Sequence, residues 1–391
     1  MSSNRPRPQR KKLDLPRYEH VRSTSAWQRC LQRLQREPGI AVDLEANSMY
    51  AYRERICLIQ VSVQGQDFIV DPLADFDLRG FGALMEDAAV EKVFHAAEYD
   101  LMLMQREFGW QLSNLFDTQW AARILGYERV GLANVLQEVF GVSLDKQYQR
   151  ANWCRRPLTP AQLAYAQADT HYLLRLRDFF AQALQETGRW TEAREIFEEQ
   201  SSVSLPDLSF DPDSFWSITG ANRLSAAGQA ALKALAIYRD AEARRRDRPL
   251  FKILQDRTLL ELAQRLPQET NDLQRIHGMS KGQIRRYGRD LLRLIAENRN
   301  APPPRRPPRQ SRPSEAVMDR YDLLHNWRKE RGLERGVESD VIISREALWH
   351  LARANPRTRA ELEQIDGLGP WRLEVYGDEI LTLLNGKETG N

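Results

Sequence analysis

Cysteine is scarce in this chain: 391 residues contain three, Cys30, Cys57 and Cys154. They are too scattered for a metal cluster, and an odd number cannot all pair. The expected role of each is a small buried side chain in a reduced compartment. Long apolar runs are missing too. The stretch around Cys57 to Val61 falls well short of the roughly 20 residues a helix needs to cross a bilayer. The basic, polar start from Met1 to Lys12 lacks the apolar segment of a secretory signal. These absences predict a cytoplasmic protein with no membrane partner. Strand patterns, finally, are absent from everything after residue 215. A hydrophobic content of 42% and a charged content of 28% are ordinary for a globular protein. The length is too great for one ordinary core and implies two or three domains.

The net charge of +3 conceals a segregation: −7 over 13–200, +8 over 221–300 and −4 over 314–391, with +5 on the tail 1–12 and +4 over 301–313. An acidic first part joined to a basic middle suits a metal-binding head attached to a polyanion-binding module. Two solvated surfaces of opposite sign would look the same.

Three strands are predicted over 39–71: Gly39 to Glu45, Ile56 to Val63, and Asp67 to Asp71 before Pro72, the last two joined through Gln64-Gly65-Gln66. A fourth follows over Lys92 to His95, and from there to 200 the period is helical. This predicts a mixed α/β layer domain over 21–205, preceded by a basic tail over 1–20. The remainder repeats itself. Shifted by 89 residues, Tyr238-Arg239 falls on Trp327-Arg328, Ile276-His277-Gly278-Met279 on Ile365-Asp366-Gly367-Leu368, and Tyr287-Gly288 on Tyr376-Gly377. Two copies of one helical domain are therefore predicted, over 215–299 and 315–391. The Pro/Arg-rich stretch 300–314 joins them as an extended spacer.

Carboxylates carry the chemistry. Asp43 and Glu45 stand two apart on an apolar strand, so both leave the same face. Burying two acids side by side is costly without a cation, although alone the pair fits a surface position as well. Asp100 falls in or near the first turn of a helix after His95, where the dipole favours an acid. Thr159-Pro160-Ala161-Gln162 opens a further helix with a cap, a first-turn proline and a capping box. On it Tyr165 and Asp169 share a face one turn apart. Together the four acids would converge on one cleft and hold a pair of hard cations, Mg²⁺ or Mn²⁺, which take oxygen ligands and bind phosphates. Such a pair about 4 Å apart suits in-line phosphoryl displacement. Tyr165 would orient the attacking water: with an ordinary pKa near ~10 it stays neutral, which favours positioning over acting as the base.

Asp43-Leu44-Glu45, the Asp100 of His95-Ala96-Ala97-Glu98-Tyr99-Asp100, and Tyr165-Ala166-Gln167-Ala168-Asp169 resemble the three motifs of the DEDDy exonucleases, most closely bacterial ribonuclease D. Leu58-Ile59-Gln60, Phe116-Asp117-Thr118 and Asn152 to Leu158 extend the resemblance, and the helical repeats resemble paired HRDC domains. It covers roughly 20–391. It implies a ribonuclease H-like mixed-sheet exonuclease domain followed by two all-α HRDC-like domains. It also implies hydrolysis from the 3′ end that releases nucleoside 5′-monophosphates from tRNA precursors and other structured RNAs with single-stranded 3′ tails. The chain departs from the pattern at Ala46, where many members carry a larger residue, and in its acidic second repeat. A DNA 3′-exonuclease and a catalytically silent RNA-binding protein are the competing readings.

The basic residues are the candidates for RNA contact. Arg155 and Arg156 precede the Tyr165 helix, and Arg156-Pro157 also reads as a structural turn. Arg244, Arg245 and Arg246, with Arg285 and Arg286, mark the first repeat, for which a solvated helix face is the alternative. The chain is read as a monomer.

Overall fold

The structure, a computed structural model, describes residues 15–308 and 312–386. Residues 1–14, 309–311 and 387–391 lie outside it, and with them most of the expected tail and the middle of the expected spacer.

Six strands form one mixed sheet: β1 (Tyr18–Val21), β2 (Gly39–Ala46), β3 (Ile56–Val63), β4 (Gln66–Val70), β5 (Glu91–Phe94) and β6 (Leu115–Asp117), in the order β1-β4-β3-β2-β5-β6. The β2–β3 and β3–β4 pairs are antiparallel, and the others are parallel. β2 to β5 are the four strands predicted from sequence. β1 and β6 are 4 and 3 residues long, too short to display an alternation. The helices of this part are α1 (Thr24–Leu34), α2 (Arg79–Glu86), α3 (Glu98–Phe108), α4 (Thr118–Ile124), α5 (Leu132–Phe140), α6 (Pro160–His171), α7 (Leu173–Glu186) and α8 (Trp190–Ser201).

α6 forms where its sequence signals it. The Thr159 side chain accepts from Gln162 N, Gln162 accepts in return from Thr159 N, and Pro160 occupies the first turn. The helix lies across β2, β3 and β4. A polar seam fixes it there: Gln167 Nε2 donates to Asp67 at 2.6 Å, His171 Nδ1 lies 2.8 Å from the same carboxylate, and Ser62 and Thr170 share a hydroxyl bond. Burial raises the Asp67 carboxyl, but the bonds from His171, Gln167 and Ser62 outweigh it and hold the group below its ordinary range.

The cysteines differ from expectation. Cys57 on β3 and Cys154, separated by 97 positions, form a disulfide, and only Cys30 is free and buried. Spacing along the chain could not show this, because the fold lays the segment after α5 back onto β3. Arg156 reinforces the closure. Its guanidinium makes two 2.7 Å bonds to Asp71 and donates to Cys57 O and Trp153 O.

The two repeats coincide element for element. The first has α9 (Ala226–Arg246), α10 (Leu250–Ile253), α11 (Asp256–Arg265), α12 (Thr270–Leu273) and α13 (Lys281–Asn298); the second has α14 (Glu315–Arg335), α15 (Ser339–Ile342), α16 (Arg345–Ala354), α17 (Arg359–Leu362) and α18 (Pro370–Asn385). Every start is displaced by 89 positions. A buried arginine is duplicated as well: Arg239 donates to Leu254 O at 3.1 Å, and Arg328 to Ile343 O at 3.0 Å.

The described residues condense into two compact units, and they do not follow the linear order of the chain: one comprises residues 15–46, 56–205 and 312–386, the other 47–55 with 206–308. In the second unit, Tyr52 donates to Asp240 at 2.6 Å and Lys252 lies over the Tyr50 ring. In the first, the second repeat is docked on the sheet domain through charge. Arg335 forks onto Glu192 of α8 at 2.6 and 2.8 Å, and the Glu192 side chain is fully buried. Arg372, 3% exposed, meets Glu195 and Glu199 of α8. Glu195 also accepts from Trp371 N, capping α18, whose N-cap residue Gly369 has no side chain to do so. Arg123 pairs with Glu338 and Asp340, and Val341 joins the sheet domain's apolar core. Among the described residues, no helix is long and apolar enough to cross a membrane.

Removing one partner of a buried pair leaves the other charge uncompensated, at a cost of about 3–5 kcal/mol. Arg335→Ala should therefore lower the unfolding free energy by about 3 kcal/mol in a urea titration. A loss below about 1 kcal/mol would show that the Glu192 pair does not hold the second repeat in place.

Candidate active site

β2 presents Asp43 and Glu45 on one face, and the β2–β3 register shifts just after Glu45, at Ala46. α6 supplies Asp169 from the other side of the cleft. Carboxylate oxygens of Asp43, Glu45 and Asp169 all lie within 4.8 Å of one another. Asp100 lies outside that triad but close enough for its charge to act on Glu45, and Asp43 acts on it in turn. It sits in the first turn of α3 and is buried.

The turn that delivers Asp100 depends on a residue for which sequence reading assigned no role. Asp117, at the end of β6, accepts from Ala96 N and Ala97 N at 3.0 and 2.8 Å and from Gln119 N at 2.8 Å. Ala96 takes a left-handed φ of 65°, uncommon for a residue with a Cβ, and Ala97 offers no side-chain cap for α3. One carboxylate thus closes the turn and caps two helix starts. The motif Phe116-Asp117-Thr118 was its only trace in the sequence. His95, at the end of β5, bonds through Nδ1 to Thr118 Oγ1 at 2.9 Å, and burial lowers its pKa to about 4, so it is neutral.

Tyr165 projects from α6 one turn before Asp169. Its ring packs against Tyr148 and Trp153, each centroid 5.9 Å away. Both belong to the segment tied down by the disulfide and Arg156. Burial, then the charges of Asp169, Glu45 and Asp43, push the hydroxyl's pKa up, so it stays protonated and can donate.

The four acids form a strained electrostatic group. Burial raises Asp43 to about 7; burial and the charges of Asp43, Asp169 and Asp100 raise Glu45 to about 10. Asp100 and Asp169 are raised as well, by burial first and by Asp43 next. No described Lys or Arg pairs with any of them. An all-oxygen, cation-free set of this kind fits a hard divalent metal.

The comparisons agree with this geometry. Residues 18–185 match the 3′-5′ exonuclease family, and 228–295 and 317–384 each match the HRDC domain. A ribonuclease D of Gluconacetobacter diazotrophicus is 32% identical over 91% of this chain and 90% of its own length. The chain belongs to the ribonuclease D family. It is a 3′-to-5′ exoribonuclease. The crystal structure of Escherichia coli RNase D superposes with a TM-score of 0.66 at 25% identity, covering 95% of this chain and 99% of that one. The catalytic core of RRP6 from Trypanosoma brucei gives 0.67 at 27% identity over 74% and 81%.

Within this family member the candidate RNA contacts divide. Arg156 is bonded inside the fold to Asp71 and to carbonyls, the arrangement expected of a structural turn. Arg155 is exposed. Arg244 pairs with Asp240, and Arg245 and Arg246 share Glu242, all on their own helix α9. Arg285 and Arg286 are exposed and pair with no described acid.

The raised acids fix a sign for pH dependence without metal. A carboxyl with a raised folded-state pKa contributes stability that is present below its unfolded value and lost as pH rises through the folded one. For Asp43 that window runs from 3.8 to about 7, and for Glu45 from 4.5 to about 10. In chelator, stability should fall from pH 5 to 9, and Asp43→Asn should flatten the slope. Urea unfolding across that range measures it, and identical slopes for the two proteins would contradict the assignment.

Proposed function

We propose that Asp43, Glu45, Asp100 and Asp169 hold two divalent ions, Mg²⁺ or Mn²⁺, and that Tyr165 positions the attacking water. The observation that carries this reading is the group of three carboxylates within 4.8 Å of one another with no cationic side chain to offset them. When bound, the ions would supply Lewis-acid stabilisation of charge on the attacking and leaving oxygens of the phosphodiester. The chain's own residues do the rest. β2 and α6 fix the carboxylates on two sides of the cleft, and Asp117 fixes the third approach through α3. The Tyr165 hydroxyl, held protonated between Tyr148 and Trp153, donates a hydrogen bond and so orients a lone pair of the water toward the scissile phosphorus.

The products are then nucleoside 5′-monophosphates, released from the 3′ ends of tRNA precursors and other structured RNAs with single-stranded tails. The RNase D of Escherichia coli is described as an exoribonuclease involved in structured RNA processing, which supports this substrate class. We take the first repeat as the RNA anchor, with Arg285 and Arg286 as its free cations and Arg244, Arg245, Arg246 and Arg155 in support, and the enzyme as a cytoplasmic monomer.

Matched RNA and DNA oligonucleotides with a free 3′ end, assayed with and without Mg²⁺, test the reading; preference for DNA would reassign the substrate. Asp43→Asn should lower turnover at least ~100-fold, a barrier increase of about 3 kcal/mol or more. Retention of more than about a hundredth of wild-type turnover would remove Asp43 from the essential ligands. Tyr165→Phe should also lower turnover strongly yet bind Mn²⁺ as wild type does in calorimetry. A large loss of Mn²⁺ affinity in that variant would make Tyr165 a ligand instead.

A further inference from the structure

Gln60 is a costly uncharged side chain in the sheet. It is fully buried on β3, and neither its amide nitrogen nor its amide oxygen has a hydrogen-bond partner among the described residues. An amide left buried and unsatisfied costs about 1–3 kcal/mol, and a methionine of similar volume would fill the same space without that cost.

Its position explains why the amide is there. Gln60 stands directly opposite Asp43 in the β2–β3 register and opposite Ile69 on its other side. Directly opposed residues of antiparallel strands share a face, with Cβ atoms about 5 Å apart. The Gln60 side chain therefore rises on the face that carries Asp43 and Glu45, beneath α6. The polar groups next to it under α6 are already matched. Ser62 bonds to Thr170, and Asp67 takes Gln167 and His171. Gln60, between this seam and the acids, has no hydrogen-bond partner among the described residues.

A carboxylate that ligates a cation has lone pairs left over, and the donors that occupy them set its orientation. We propose that Gln60 is a positioning residue of the metal centre: in the cation-loaded enzyme its amide N–H donates to the Asp43 carboxylate oxygen that faces away from the metal. This rests on the metal reading above. Loading then gives the buried amide nitrogen the acceptor it lacks in the metal-free protein. Gln60 touches neither substrate nor the reacting atoms and acts through Asp43.

The proposal makes stability and metal affinity move in opposite directions. For full-length Gln60→Met, thermal unfolding in chelator should give a midpoint equal to or above wild type, because an unsatisfied amide is removed. Calorimetric titration with Mn²⁺ should show affinity weakened by about 10–100-fold, the range typical of groups that orient metal ligands. Turnover on a single-stranded RNA should fall while KM changes little. Gln60→Asn, which keeps an amide but falls one methylene short of Asp43, should lose Mn²⁺ affinity to a similar extent, and it serves if the methionine variant does not fold. Mn²⁺ affinity unchanged in both variants would overturn the proposal. So would a midpoint lowered equally with and without Mn²⁺, the mark of an amide satisfied by a buried water and serving the fold alone. Asp43→Asn is the control. If it binds Mn²⁺ as wild type does, the metal reading itself is at fault; if it loses binding while Gln60→Met keeps it, only the role of Gln60 fails.

Discussion

Repulsion among four carboxyl groups in one partly closed cleft is the constraint around which this structure is arranged. At effective protein dielectric values near 20, two unit charges 4 Å apart repel by about 4 kcal/mol. No fold tolerates several such pairs without either protons or cations, and the raised pKa values of Asp43 and Glu45 record the first alternative. The surroundings resist the tendency of the acids to move apart. β2 is an inner strand, flanked by β3 and β5. α6 is bonded to the sheet at Asp67 and Ser62, and α3 is anchored by Asp117. Such rigidity suits the proposed metal site, because ligands held in place discriminate by geometry among cations and among phosphate positions.

The same logic extends to Tyr165. In the proposed mechanism its hydroxyl must sit at one place beside the acids, and nothing on α6 alone could fix the ring. The segment carrying Tyr148 and Trp153 does so, and that segment is itself secured to β3 by Cys57–Cys154 and by Arg156. Burial pushes the Asp71 carboxyl up, but the bonds and charge of Arg156 outweigh it and hold the group below its ordinary range, which favours the ionic pair. An arginine next to a nuclease cleft is easily assigned to phosphate. Here its geometry assigns it to the wall.

Much of this was legible in the residues. Strong alternation and an apolar run marked β2 to β5, capping chemistry marked α6, and the 89-residue repeat fixed the helical part, because these signals are local or periodic. The acids could be proposed as a set because each lies on an element whose face is predictable. What escaped depends on pairings distant in sequence. The disulfide spans 97 positions. Asp117 reaches back 20 and 21 residues to amides that say nothing of their partner. Gln60 looks in sequence like any polar residue in a strand, and only the register with Asp43 and its complete burial make it conspicuous. The docking of the second repeat on α8 was hidden for the same reason: its negative charge could be counted, but the arginines that matter were outvoted in the sum.

Duplication and divergence account for that last point. At matched positions the second repeat carries Arg335 and Arg372 where the first carries Arg246 and Gln283, and Glu374 and Val375 where the first carries Arg285 and Arg286. In the second repeat the inward arginines are consumed by Glu192, Glu195 and Glu199 of α8, and the exposed flank of α18 is left acidic or apolar. In the first repeat, the matching helix α13 keeps its arginines exposed. One fold has therefore been used twice with different partners available. Where carboxylates of the same chain saturate it, the repeat becomes part of the scaffold. Where they do not, its positive field is available for the RNA-anchoring role proposed above, and net charge over each repeat separates the two cases only when the buried pairs are subtracted first.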